Sequence, residues 1–159
     1  MHLFAPTISP VAGPRPASPR VPVSERVLAA LASAACLALL ILSARLDPEP
    51  AGHGTHTQLG LPACGWVIGF GRPCPTCGMT TAFAHAAHGR LWSSLVAQPA
   101  GAFLALLTAC GVWIGAYIAA TGSRVGRLCA RMLAPRWLWA FAGLAAASWA
   151  YKLATWPTG

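Results

Sequence analysis

The sequence predicts an all-α integral membrane protein with three transmembrane helices and a short outward-facing interfacial or re-entrant helical segment that carries a C-x-x-C pair. Three observations lead there. Hydrophobic residues make up 56% of the 159 positions and charged residues only 9%, against about 25% charged in soluble domains. Three apolar stretches reach the ~20 residues that a helix needs to cross a bilayer. The arginines gather outside those stretches, as they do in the loops of membrane proteins.

The first span is placed at about residues 27–46, on an apolar run over 27–44 that Arg26 and Arg45 bracket. The second is placed at residues 100–121, which hold no charge. The third is placed at 137–156, where Lys152 lies near the end and is expected to snorkel to the headgroups. The loop before the third span carries Arg124, Arg127, Arg131 and Arg136 and no acid, so it is expected on the cytoplasmic side. With three spans the N-terminus is then cytoplasmic and the C-terminus outside. Residues 1–24, interrupted by Pro6, Pro10, Pro14, Pro16, Pro19 and Pro22, read as a disordered cytoplasmic tail, leaving 25–159 as the membrane domain. The first apolar run is longer than the ~7–15 residues of a signal-peptide core, which favours an uncleaved anchor.

Residues 59–98 form the outward segment. Its first part has glycines at 60, 65, 69 and 71 and Pro62, a composition for a folded loop or short interfacial element. Next comes Cys74-Pro75-Thr76-Cys77-Gly78. With Pro75 at the first helical position and Gly89 just past the last, one helix is expected over about residues 75–88, with both thiols at its start. At roughly 100° per residue, Cys74, Cys77, Thr81, His85 and His88 would share an arc of about 80°. Gly78 inside that helix would cost roughly 1 kcal/mol relative to Ala, so Gly78→Ala is expected to stabilise unless another backbone comes close. Residues 90–98 place Leu91, Trp92, Leu95 and Val96 on one side, the pattern of a short helix lying in the interface. In the second span, Gly111 and Gly115 form a G-x-x-x-G motif. It would serve either packing within the chain or a homodimer.

The six cysteines divide by location. Cys36 and Cys110 fall within spans and read as small apolar residues, Cys129 falls in the cytoplasmic loop, and Cys64, Cys74 and Cys77 lie outside. Three readings of the outward thiols stand. Cys64, Cys74 and Cys77 with His85 or His88 would make a tetrahedral site for zinc, or for copper in a softer version, with His53 and His56 as substitutes. A disulfide would staple the loop in an oxidising compartment. A thiol-disulfide oxidoreductase would use Cys74 as nucleophile at the helix N-terminus and Cys77 as resolving thiol, although no β-α-β pattern surrounds the pair. A metal-binding or stapled element of a membrane assembly is the working role, and the oxidoreductase is the alternative.

Other classes lack their residues. Asp47 and Glu49 are remote from the thiol helix in sequence, which leaves no paired-carboxylate constellation. No phosphate-binding glycine loop precedes a lysine, and no basic run is interleaved with aromatics, which argues against nucleic acid despite the net charge of +8. The balance favours a protein that is not an enzyme. Its partners are expected to be the lipid bilayer and either other membrane proteins or a second copy through Gly111 and Gly115.

Cys74-Pro75-Thr76-Cys77-Gly78-Met79-Thr80, followed by Ala82-Phe83, His88-Gly89 and Gln98-Pro99, resembles the small bacterial membrane proteins grouped as domain of unknown function 2752. Their hallmark is C-P-x-C-G-x-T-R. This chain has Thr81 where many such proteins have arginine, so any role that needs that positive charge is not carried over. The resemblance implies a multi-pass protein of the bacterial cytoplasmic (inner) membrane whose activity is not established.

Overall fold

The computed structural model describes residues 21–126 and 135–156. The expectations for the proline-rich tail up to residue 20, and for Arg127, Cys129 and Arg131, lie outside the described residues.

Among the described residues the elements follow in order: α1 (Val23–Ala44), a 3-10 turn (Thr55–Leu59), α2 (Gly65–Phe70), α3 (Met79–Ala87), α4 (Leu91–Ala97), α5 (Pro99–Thr121) and α6 (Pro135–Ala154). Among the described residues there is no strand. Helices α1 and α5 are long and apolar enough to cross a membrane. The first begins four residues before the expected 27–46 because the chain turns helical directly after Pro22, whose extended backbone ends the preceding segment. The second starts with Pro99 in its first turn and stops at Gly122 in a left-handed conformation, the usual placement of the two residues.

α1 and α5 pack antiparallel. Arg26, in the first turn of α1, donates to the carbonyls of Ala119 at 2.9 and 2.8 Å and of Ala120 at 3.2 Å. This places a cation on carbonyls that a helix C-terminus leaves unpaired. Further along, Ser33 Oγ donates to Val112 O at 2.8 Å. A Cβ on Gly115 would lie 2.8 Å from Ala29 O and 2.9 Å from Ser33 Cβ, and one on Gly111 would lie 3.3 Å from Cys36 Sγ. The close approach that G-x-x-x-G permits is therefore used between α1 and α5 of one chain. Leu28, Leu31, Leu37 and Ile41 of α1 and Phe103, Leu106, Trp113 and Tyr117 of α5 point outward.

α6 covers most of the third expected span, yet it is not among the helices apolar enough to cross by composition. Its aromatic and polar residues explain the difference, and Ser148, Tyr151 and Lys152 have partners inside the chain. Lys152 does not snorkel: it is 7% exposed, and its Nζ donates to Gly52 O at 3.0 Å and Ala97 O at 3.1 Å.

The short elements close one end of the α1–α5 pair. α4 turns Leu91, Trp92, Leu95 and Val96 outward, as the interfacial pattern predicts, and buries Ser94, whose hydroxyl donates to Ala82 O at 2.6 Å. Gly101 of α5 lets α3 approach closely, since a Cβ there would stand 3.0 Å from Ala82 Cβ.

Candidate functional site: a clamped thiol turn

The C-x-x-C pair precedes its helix and lies in a turn. Cys77 N–H donates to Cys74 O at 3.0 Å and Met79 N–H to Thr76 O at 3.1 Å. Gly78 then takes φ +89°, and α3 begins at Met79. This corrects the expected helix over 75–88. Pro75 permits a helix start, but left-handed backbone at Gly78 ends any right-handed run before it. Neither thiol therefore sits in the first turn of α3, and the shared arc with His85 and His88 does not form.

Gly78 is left-handed because the site is crowded. A Cβ there would be 2.6 Å from Gly52 O, 3.0 Å from Ala97 O and 3.3 Å from Lys152 Nζ. The turn is held from three sides. Gln98, almost wholly buried, donates through Nε2 to Pro75 O at 3.2 Å. Trp149 Nε1 donates to Pro73 O at 3.1 Å. Lys152 Nζ joins the 49–54 loop to the end of α4 through Gly52 and Ala97. Ser148 Oγ donates to Gln98 Oε1 and accepts from Ala100 N–H at 3.1 Å. Ser148, Trp149 and Lys152 occupy one face of α6, since positions i, i+1 and i+4 are neighbours there. Beneath the turn, Thr81 is fully buried and shares a 2.8 Å hydrogen bond with Thr55, which accepts from Glu49 N–H at 3.1 Å.

The thiols occupy different environments. Cys77 is buried, and burial, reinforced by the neighbouring Cys74 and Cys64, pushes its thiol up to about 11. Cys64 is at the N-cap position of α2. The Val67 N–H holds its thiol below the ordinary value against the opposing effect of burial. The Trp66 N–H and the side chain and N–H of Cys74 act in the same direction. The Cys64 sulfur thus lies near the Cys74 side chain and N–H, Cys77 is the buried member of the three, and all three are free thiols. Cys74 Sγ also lies 3.4 Å from Thr76 Oγ1. A cavity of about 300 Å³ opens beside Cys64 and Cys77, with Glu49, His53 and His56 in its wall.

The histidines do not converge on the sulfurs. His88 is exposed and its Nδ1 bonds Ala84 O at 2.8 Å in its own helix. His85 lines a different cavity with Lys152. His53 stacks on Trp156 with ring centroids 4.4 Å apart, and His56 Nε2 lies 3.2 Å from Pro62 O. Among the described residues no group of three or more His, Cys, Asp or Glu is placed to hold a metal ion, so the set Cys64, Cys74, Cys77, His85 and His88 is not brought together. The later start of α3 is the physical reason, because it separates the register of the thiols from that of the helix.

Residues 64–112 match the DUF2752 family, described as a protein of unknown function. The DUF2752 match begins at Cys64 and runs through the thiol turn, α3 and α4 into α5, so it contains Cys64, Cys74, Cys77 and Gln98. The α6 side of the clamp, Ser148, Trp149 and Lys152, lies beyond it. No curated protein and no solved structure matches the chain.

Sequence reasoning did not assign Gln98, Ser148, Trp149 or Lys152 to the site. One signal was present: Lys152 is the chain's single lysine, and it sits in an apolar helix, where an ionisable residue marks an internal partner.

Proposed function

We propose that the protein is a multi-pass membrane protein whose outward end carries a Cys64–Cys74 disulfide, stapling the 64–74 loop to the clamped turn. The nearness of the Cys74 side chain and N–H to the Cys64 sulfur supports this reading, although all three cysteines stand as free thiols in the structure. The α1–α5 pair has two ends: one holds Val21, which donates to Gly122 O at 2.9 Å, with Arg26 and Arg124 close by in sequence, and the other holds the thiol turn and the last turns of α6. The positive-inside tendency then supports a cytoplasmic arginine end and an outward thiol end, where disulfides persist. Closing a loop of this size removes unfolded-state entropy worth about 3 kcal/mol.

Formation of the bond is balanced as exchange with a partner disulfide. The Cys64 thiolate attacks one sulfur of the partner and expels the other as a thiolate, which takes up a proton. Cys74 then loses its proton and attacks Cys64 Sγ, releasing the second partner thiol. The pair is oxidised by two electrons and the partner disulfide is reduced to two thiols. The oxidoreductase alternative uses Cys74 as nucleophile and Cys77 as resolving thiol, and each turnover then needs a dithiol substrate that returns the pair to two thiols while becoming a disulfide itself.

Acid-quenched alkylation of native membranes, followed by non-reducing peptide mapping, tests the proposal. A peptide linking Cys64 to Cys74, with Cys77 recovered as a thiol, is the expected result. A Cys74–Cys77 link, or three free thiols, overturns it. Reduction that lowers the melting temperature supports the staple, and reduction without that effect but with turnover of a dithiol substrate supports the oxidoreductase.

A further inference from the structure

A second cavity, of about 520 Å³, opens on the other side of Lys152. Its lining includes His85 of α3, Trp92, Ser93 and Val96 of α4, and Tyr151 and Lys152 of α6, and no carboxylate. Lys152 Nζ gives two of its three N–H groups to carbonyls and stands 6.0 Å from the centre of the Trp156 ring, so all of these partners are neutral. Two neutral carbonyls solvate an ammonium without cancelling its charge, and a buried charge without an opposite partner is costly. His85 supplies an independent observation: its Nδ1 is the buried side-chain nitrogen or oxygen atom that lacks any hydrogen-bond partner among the described residues. His85 is partly buried and its ring lines the cavity. The Arg90 guanidinium adds positive potential at His85. The rim is apolar: Trp92 is 77% exposed and Val96 is also exposed, and Trp and Tyr are side chains that favour the level of lipid headgroups.

We infer that this cavity binds an amphiphile whose phosphate-bearing headgroup is net anionic, with that group against Lys152 and His85 and its apolar part against Trp92 and Val96. Lys recognises phosphate as a point charge, and the mixed lining suits a molecule with one charged and one apolar end. This site is separate from the thiol pair, so the proposal stands whether or not Cys64 and Cys74 form a disulfide.

The test uses the full chain in detergent micelles and native mass spectrometry with phosphatidylglycerol or phosphatidylcholine added at equal concentration. Retention of phosphatidylglycerol about tenfold above phosphatidylcholine, one decade in dissociation constant, is expected. Ser93→Trp, which fills the cavity from its rim without touching the clamp, should abolish that preference, and His85→Phe does the same work if the tryptophan variant fails to fold. Inorganic phosphate at millimolar concentration separates the sources. If it displaces the lipid and raises the melting temperature by itself, the phosphate group alone is recognised and a soluble phosphate ligand serves. If only the lipid binds, the ligand is a headgroup. Equal retention of the two lipids, together with no response to phosphate, overturns the inference. So does undiminished phosphatidylglycerol retention in both variants.

Discussion

Replacing Gly78 by alanine separates the observed turn from the helix that local sequence signals predict. In an uninterrupted helix over 75–88 the substitution would stabilise by roughly 1 kcal/mol. In the structure Gly78 has φ +89°, and left-handed backbone costs a residue with a Cβ about 1–2 kcal/mol. The added methyl would also stand 2.6 Å from Gly52 O and 3.0 Å from Ala97 O. Both are backbone atoms that cannot rotate away, and overpacking of this kind costs about 1–3 kcal/mol. The sum is a loss of about 2–5 kcal/mol, opposite in sign to the helix-based expectation. The two carbonyls are also the acceptors of Lys152, so any backbone shift that relieves the clash weakens the clamp. Gly78→Ala and Lys152→Met should then be non-additive in a double-mutant cycle. Reversible unfolding in mixed micelles, followed by circular dichroism, measures the loss. Gly143→Ala serves as control: a Cβ there meets nothing within 4 Å, and the change should stay within about 1 kcal/mol of the parent. A Gly78→Ala variant as stable as the parent would refute the turn geometry.

Two further predictions follow from the thiols and the helix pair. Since burial raises the Cys77 thiol to about 11, only about one molecule in a thousand carries the thiolate at pH 8. Its alkylation in reduced protein should rise about tenfold per pH unit up to that value, while Cys64, held lower, labels first; time-resolved alkylation with peptide mass detection checks the order. Gly115→Ala places a methyl against Ala29 O and Ser33 Cβ and should cost about 1–3 kcal/mol in the same micelle assay, whereas Gly69→Ala, with no atom near its Cβ, should cost little.

Much of the frame was legible before any coordinates. Arg45 marked the end of α1, and Pro99 with the charge-free run over 100–121 marked α5, because charges and helix-breaking residues act locally; Arg26, expected just before the first helix, lies in its first turn. The outward apolar stripe of α4 followed from periodicity alone. Gly111 and Gly115 announced a close helix contact, and α1 supplies it. The errors share one cause. Pro75 carries a genuine helix-start signal, but the backbone at Gly78 is decided by Gly52 and Ala97, which come from two other segments. Snorkelling is a sound rule for a lysine near the end of a span, but it assumes that water or headgroups are the best partners available. Here the chain offers two carbonyls at 3.0 and 3.1 Å.

The sequence by itself determined the helical class, the apolar lengths of the two helices long enough to cross a membrane, and the presence of three thiols in one segment between them. These depend on composition and on contacts between near neighbours in the chain. Tertiary structure alone decided which thiols lie near one another, which one is buried, and where the lone lysine spends its hydrogen bonds. Cys64 and Cys74 lie on opposite ends of a folded loop, and Lys152 is 100 residues from Gly52. Such pairings depend on how α6 packs across the thiol turn, and no local propensity carries that information.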